Sequence, residues 1–410
     1  MKKLALIAPV AFGFVAAFTL PFAAAAQTET QPSQPPVSEA PPQAPGPGDI
    51  INAAPATDWT AIAAEDLLVM TLAPQPDGTP REVIIQLMPK PFSHGWTHNM
   101  RALARANWYD GISVNRVQDN YVVQWGDPNY DNPESGGKAK ALPDDLKTMP
   151  EGDYVSVQFG WDGISEVSDL VSRGAILLNA KGASGPLAQT SASKSWDIYA
   201  EYAGFVDGWP VGFGNAYTAS PGELVVREDV AKKLIRSLEG DEAVFGALAG
   251  DEQLAARRIA SSSLTAVWPV HCYGMVGVGR NYSPDTGSGA ELYTVIGHGP
   301  RHLDRNIALV GRIISGMEHL SSLPRGTGAL GFYTAAEADK RTPITSIRVA
   351  SDLPQENRPQ FEYLATDSSS FARYAHTRAN RRDPFFIAPA GGADLCNITV
   401  PIRRIEEADE

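Results

Sequence analysis

Aliphatic, β-branched runs recur along this chain without regular helices between them, and that limits what it can fold into. "DLLVMTLA" (66–73) and "REVIIQLM" (81–88) flank "PQPDGTP", whose Asp77-Gly78 pair is a tight-turn signal, so the two runs read as a hairpin. Further strand signals lie at 111–124, at "HCYGMVGVG" (271–279), "AELYTVIG" (290–297), "NIALVGRII" (306–314), "PITSIRVASDL" (343–353) and "DLCNITVPIRRI" (394–405). Apolar residues at Trp96, Met100, Leu103 and Trp108 have helical spacing. Val230, Leu234 and Leu238 mark a second helix, and Leu254 with Ile259 a third, opening near the capping residue Asp251. Strands dominate both ends and helices fall at the start and in the middle. A doubly wound sheet needs helical crossovers between strands, so the pattern predicts an antiparallel sheet or a closed barrel.

The N-terminus has the form of a secretory signal. Lys2 and Lys3 precede an apolar run, and Ala24-Ala25-Ala26 supplies small residues for cleavage before Gln27. The rival reading is an uncleaved anchor; Pro9, Pro21 and the alanine-rich end favour cleavage, leaving no stable membrane insertion. The expected destination is the periplasm. A proline-rich linker follows over 27–56, and ordered structure is expected from near Trp59. The formal charge is −13, and signal removal would take away two lysines and no acid. Such a surface repels phosphate backbones, so nucleic acid is not an expected partner. Cys272 and Cys396 are the only cysteines; in an oxidising compartment they either pair or remain two buried thiols.

"YDGISVNRVQDNYVVQWGDP" (109–128) places Arg116 and Gln124 among apolar neighbours. This stretch resembles the signature of the cyclophilins, the peptidyl-prolyl cis-trans isomerases: Phe-His-Arg, a four-residue gap, then Phe-Met-x-Gln-Gly-Gly-Asp. "GMVGVGRNYSPDTGSGAELYTVI" resembles the family's Met-Ala-Asn segment and its Ser-Gln-Phe-Phe strand, and "HLDRNIALVGRIISGMEHL" its Leu-Asp-Gly, Phe-Gly-x-Val and Gly-Met sequence. The match covers about 66–127 and 271–320, in family order.

The resemblance implies a mainly β chain: a closed eight-stranded antiparallel barrel with two capping helices, a large partly helical insertion at 128–270 within a domain spanning 57–350, and a C-terminal extension (351–410) packed on the barrel. It implies catalysis by Arg116 and Gln124 with no cofactor and no metal. Tyr121, Val122, Tyr293 and Leu303 would line a pocket for the proline ring of a proline-containing polypeptide. Val276 and Gly277, the latter in place of the family's Asn, would border the peptide groove, with Glu291 beside it and His302 where many members have Trp. The alternative on the same barrel is a non-catalytic peptide-binding or chaperone module. Departures keep it open: Tyr121 and Tyr293 replace Phe, Val122 replaces Met, Trp125 replaces Gly, Glu291 replaces Gln and is in reach of an ion pair with Arg116, and Ile307 replaces a His.

Other motifs have simpler readings. His94 and His98 share a helical spacing, repeated by His298 and His302, but no third ligand accompanies either pair. "GVGRNYSPDTGSG" lacks the strand-to-helix context of a nucleotide loop, and Ser184 lacks nucleophile-elbow spacing.

Overall fold

The computed structural model describes residues 44–129, 137–158, 197, 199–200, 202–215, 265–390 and 392–405. The helices expected around 230–259 and the signal segment lie outside the described residues. In chain order the strands are β1 (Trp59–Ala61), β2 (Leu67–Leu72), β3 (Arg81–Leu87), β4 (Ser113–Val117), β5 (Val122–Gly126), β6 (Ser156–Gln158), β7 (Tyr202–Val206) and β8 (Trp209–Asn215). They continue with β9 (Thr265–Pro269), β10 (Met275–Val278), β11 (Leu292–Val295), β12 (Leu309–Ser315), β13 (Ile344–Val349), β14 (Phe361–Leu364) and β15 (Ile402–Arg404). The α-helices are α1 (Pro47–Asn52), α2 (His94–Arg105), α3 (Glu318–Ser321) and α4 (Ser369–Ala379).

Eight strands form one antiparallel sheet in the order β13-β2-β3-β12-β10-β11-β5-β4. Its two ends meet. The Gly111 N–H donates to the Ile344 carbonyl at 3.0 Å, Ile344 N–H to Ile112 O at 2.8 Å, and Val114 N–H to Thr342 O at 2.9 Å. Closure removes the two edges that this eight-stranded sheet would otherwise expose to another strand. The expected β2–β3 hairpin is present, with Leu67 opposite Gln86 and Leu72 opposite Arg81. Inward residues of the barrel strands pack with Trp96, Met100, Leu103 and Ala104 of α2, which closes one end, and with Leu320 of the single-turn α3. The N–H of Trp96 is not left unpaired in this apolar interior: its Nε1 donates to Thr286 O and Gly287 O, both at 3.1 Å.

The insertion contributes a second, four-stranded antiparallel sheet, β6-β9-β8-β7. Both of its faces are buried: Trp209, Val211 and Phe213 lie on one and Phe205 and Trp268 on the other, with Phe205 edge-on to Phe371 of α4 in a core that includes Tyr374, Leu395 and Ile398. A buried arginine joins this sheet to the barrel: Arg312 of β12 donates to Gln86 Oε1 at 2.8 Å and to Gly208 O at 2.7 Å, with its guanidinium 4.3 Å from the Trp209 ring centre. Burial pushes the Arg312 guanidinium down to about 9, which still leaves it charged at neutral pH. A third sheet, β1-β14-β15, covers the outside of β2 and β3 through Phe361, which packs in one cluster with Leu67, Val69, Ile84 and Ala350 of the turn after β13.

Two expectations change, and one open question closes. Order begins before Trp59: α1 lies inside the stretch read as linker, where Asp49 accepts from the Gly46 N–H at 2.8 Å and Ile50 is buried in the core shared with α4. Pro47 suits the first turn of α1 because a helix start has no use for its missing N–H. The run 394–405 is not one strand: Asp394 caps a tight turn at Leu395–Asn397, and only Ile402–Arg404 pairs. The cysteine question closes as a disulfide, Cys272–Cys396, with Cα atoms 5.2 Å apart. No helix among the described residues is long and apolar enough to cross a membrane.

Candidate active site

The site is built on the outer face of β4, β5 and β11. A bulge in β4 sets it up. Val114 pairs with Trp125, but the next pair is Arg116 with Gln124, so Asn115 is an extra residue. The shift keeps both Val114 and Val117 in the barrel core while turning Arg116 outward. Asn115 is held in the bulge by donating to Gly126 O at 3.1 Å and accepting from Ser113 Oγ at 2.7 Å.

Arg116 and Gln124 meet as the paired register demands: Arg116 Nη1 donates to Gln124 Oε1 at 3.1 Å. Nε donates to the Leu330 carbonyl at 2.7 Å, and Nη2 to Gln118 Oε1. The guanidinium carbon lies 5.6 Å from the Tyr121 ring centre and 5.5 Å from that of Phe332. Two aromatic rings and three oxygen acceptors therefore orient one permanently charged fork.

Beside it is a small apolar cluster separate from the barrel core: Val122, Tyr293 and Val295 are buried, with Tyr121 and Ile307 packed against them. Register explains the grouping. Tyr293 faces Gln124 and Val295 faces Val122, so alternate residues of β5 and β11 share the outer face. Leu303 is half-buried on the turn that leads into Ile307, and His302 is exposed beside it. Glu291 is buried, its carboxyl over Gly126, where a Cβ would come within 2.0 Å of it.

Two expected groove residues do otherwise. Val276 pairs with Thr294 and, by strand alternation, points into the barrel core. Gly277 does not present an open backbone. The Tyr293 ring lies across it, and a Cβ there would sit 2.3 Å from the phenol Cζ and oxygen. Among the described residues no group of three or more His, Cys, Asp or Glu is arranged to hold a metal ion, and His94 and His98 are exposed on α2.

The sequence reading missed what lies behind Tyr293. Its hydroxyl is 2.8 Å from His271 Nε2, and His271 Nδ1 is 2.8 Å from Asp304 Oδ1. The same Asp304 oxygen accepts from the His271 backbone N–H at 2.9 Å, and Oδ2 accepts from Arg301 Nε at 2.5 Å. Arg301 then donates to Asp197 at 2.7 and 3.2 Å. Burial, then the neighbouring Tyr121 and Asp304, raise the Tyr293 phenol well above its ordinary value, so it keeps its proton. Burial opposes the Arg301 charge, but Asp304 and Asp197 outweigh it and raise the guanidinium. The sequence signal was a lone His in the apolar run "AVWPVHCYG".

The fold and the site together define a barrel that presents one anchored arginine next to an apolar pocket, the arrangement of a cyclophilin. The family model described as cyclophilin type peptidyl-prolyl cis-trans isomerase/CLD matches residues 95–349, and the chain belongs to that family. It is a peptidyl-prolyl isomerase, an enzyme that binds proline-containing peptides. Among solved structures, the crystal structure of a cyclophilin from Hirschia baltica is similar with a TM-score of 0.50 and 16% identity, covering 86% of this chain and 95% of that one. At that identity the likeness is one of fold. No curated protein matches the chain.

Proposed function

We propose that the protein accelerates Xaa-Pro isomerisation in exported polypeptides, with Arg116 as the catalytic donor. The Xaa-Pro bond resists rotation because resonance gives it partial double-bond character, with a barrier of about 18–20 kcal/mol. In the twisted transition state the prolyl nitrogen regains its lone pair. A guanidinium directed at that nitrogen stabilises the twisted form more than either planar form, and that difference is catalysis. Tyr121, Val122, Tyr293 and Ile307 receive the proline ring, Leu303 borders it, and Gln124 orients Arg116 and hydrogen-bonds the substrate backbone.

The observation that carries this reading is the Arg116–Gln124 pair at 3.1 Å, braced by the Leu330 carbonyl beside the apolar cluster. The basic start, apolar run and Ala24-Ala25-Ala26 support export to the periplasm. The test is the relaxation rate of a Xaa-Pro peptide with the mature protein and with Arg116→Ala. Loss of one aimed donor is expected to lower kcat/KM by about a hundredfold or more. A folded Arg116→Ala protein with undiminished activity would remove Arg116 from the role. N-terminal sequencing of protein recovered from the periplasm should begin at Gln27; an intact Met1 would count against cleavage.

A further inference from the structure

We infer that His271, oriented by Asp304, is a positioning residue for the isomerase and sets the wall of the prolyl pocket by holding the hydroxyl of Tyr293. This rests on the placement of Tyr293 in the pocket proposed above.

The geometry assigns each group a direction. Asp304 is a carboxylate held by Arg301 and by the His271 backbone N–H, so it accepts and does not donate. With the imidazole neutral, this places the ring proton on Nδ1 and leaves Nε2 as an acceptor. The Tyr293 hydroxyl then donates to Nε2 across 2.8 Å, with the two rings inclined by only 8°. His271 is fully buried and Asp304 and Arg301 nearly so, so none of these bonds competes with water.

A tether is needed because of the residue beneath. Gly277 has no side chain, and the Tyr293 ring occupies the space where one would be. The ring lies directly on the Gly277 backbone, which sets how close it can come but offers no side chain to oppose a slide of the ring in its own plane. The hydrogen bond to His271 supplies the missing constraint. The tyrosine hydroxyl therefore points away from the proline site and leaves the ring face as the pocket wall.

The experiment compares kcat and KM for a Xaa-Pro peptide in the wild-type protein, Tyr293→Phe, His271→Leu, His271→Gln and the double variant Tyr293→Phe with His271→Leu. One lost hydrogen bond is worth about a fivefold change. Each single loss should lower kcat/KM by about that factor, mainly through KM, because a pocket wall holds the proline in planar and twisted states alike. The double variant should be no worse than the poorer single one. His271→Gln, whose amide oxygen can accept from the phenol, should recover part of the loss. In NMR spectra the Tyr293 ring should flip more rapidly in folded His271→Leu than in wild type. Additive losses, or unchanged KM and ring flipping in folded His271→Leu, overturn the inference. If His271→Leu does not fold, Tyr293→Phe decides alone: full affinity overturns it and a fivefold loss supports it. Failure of the underlying site assignment would show separately, as activity that survives Arg116→Ala.

Discussion

Gly277 is the residue on which the pocket most depends without touching any reacting atom. Its missing side chain is filled by the Tyr293 ring, at a distance no Cβ tolerates. Gly277→Ala therefore has to displace the ring, and the ring cannot move without leaving His271. We expect a stability loss of about 1–3 kcal/mol, the usual range for inserting a carbon into a packed site. kcat/KM should fall along with it, and thermal melting beside peptide relaxation would measure both; unchanged values would mean the ring has another place to go. At this scale the sequence was legible where chemistry sits in a contiguous motif. Arg116 and Gln124 are eight residues apart on one hairpin, and their pairing follows from register. His271, Tyr293 and Asp304 come from three separate segments, and no local period announces that they meet. Val276 is the converse case: it stands next to Gly277 in sequence, but strand alternation turns it into the barrel core and away from the groove.

Among the elements, the segment between α3 and β13 has no strand or α-helix and holds Arg116 directly. It delivers the Leu330 carbonyl and the Phe332 ring, and it is clamped by one carboxylate. Glu337 accepts from the backbone N–H groups of Thr327 and Thr334, both at 3.1 Å, and from Lys340 Nζ at 2.7 Å. The Lys340 hydrogen bond first, then those of Thr334 and Thr327, hold the Glu337 carboxyl at about 2, below its ordinary 4.5. A carboxylate depressed on folding stabilises fully above its unfolded value and ceases to do so as pH falls through its folded value. The clamp should therefore weaken between about pH 4.5 and pH 2. Amide exchange at Thr327 and Thr334, corrected for its intrinsic pH dependence, should accelerate across that window in wild type and be insensitive to it in Glu337→Gln. Identical profiles would show that the clamp does not titrate. None of this segment carries a periodic pattern, so its role was not readable. The β7–β8 hairpin is different: Asp207 and Gly208 form its two-residue turn with φ of 48° and 83°. "VDGW" carries the same Asp-Gly turn signal as the β2–β3 loop, here diluted by the neighbouring Gly204, Gly212 and Gly214.

For the molecule as a whole, the additions to the barrel support one another more than they decorate it. The inserted sheet and α4 share a core, α1 is buried against both, and the third sheet covers β2 and β3. The eight-stranded barrel was legible because alternation and turns specify it locally. This second core was not, because its partners lie far apart in sequence and none is amphipathic enough to name the other. Its one covalent link is Cys272–Cys396, which closes a loop of 124 residues next to His271. A cross-link over a loop of that length limits the unfolded chain strongly, and the chain-entropy model gives about 4–5 kcal/mol. Cys396→Ser should lose stability of that order in denaturant unfolding, with the native protein showing no reactive thiol before reduction. The loss should not stay confined to the C-terminal segment. Cys272 is bonded in sequence to the histidine that holds the pocket wall, and Leu395 and Ile398 pack into the core shared with the inserted sheet. A folded Cys396→Ser protein is therefore expected to show weakened protection in β7 and β8 as well as near Ile402–Arg404. Loss of protection at the C-terminal strand alone would mean that the two layers around the barrel are stable independently.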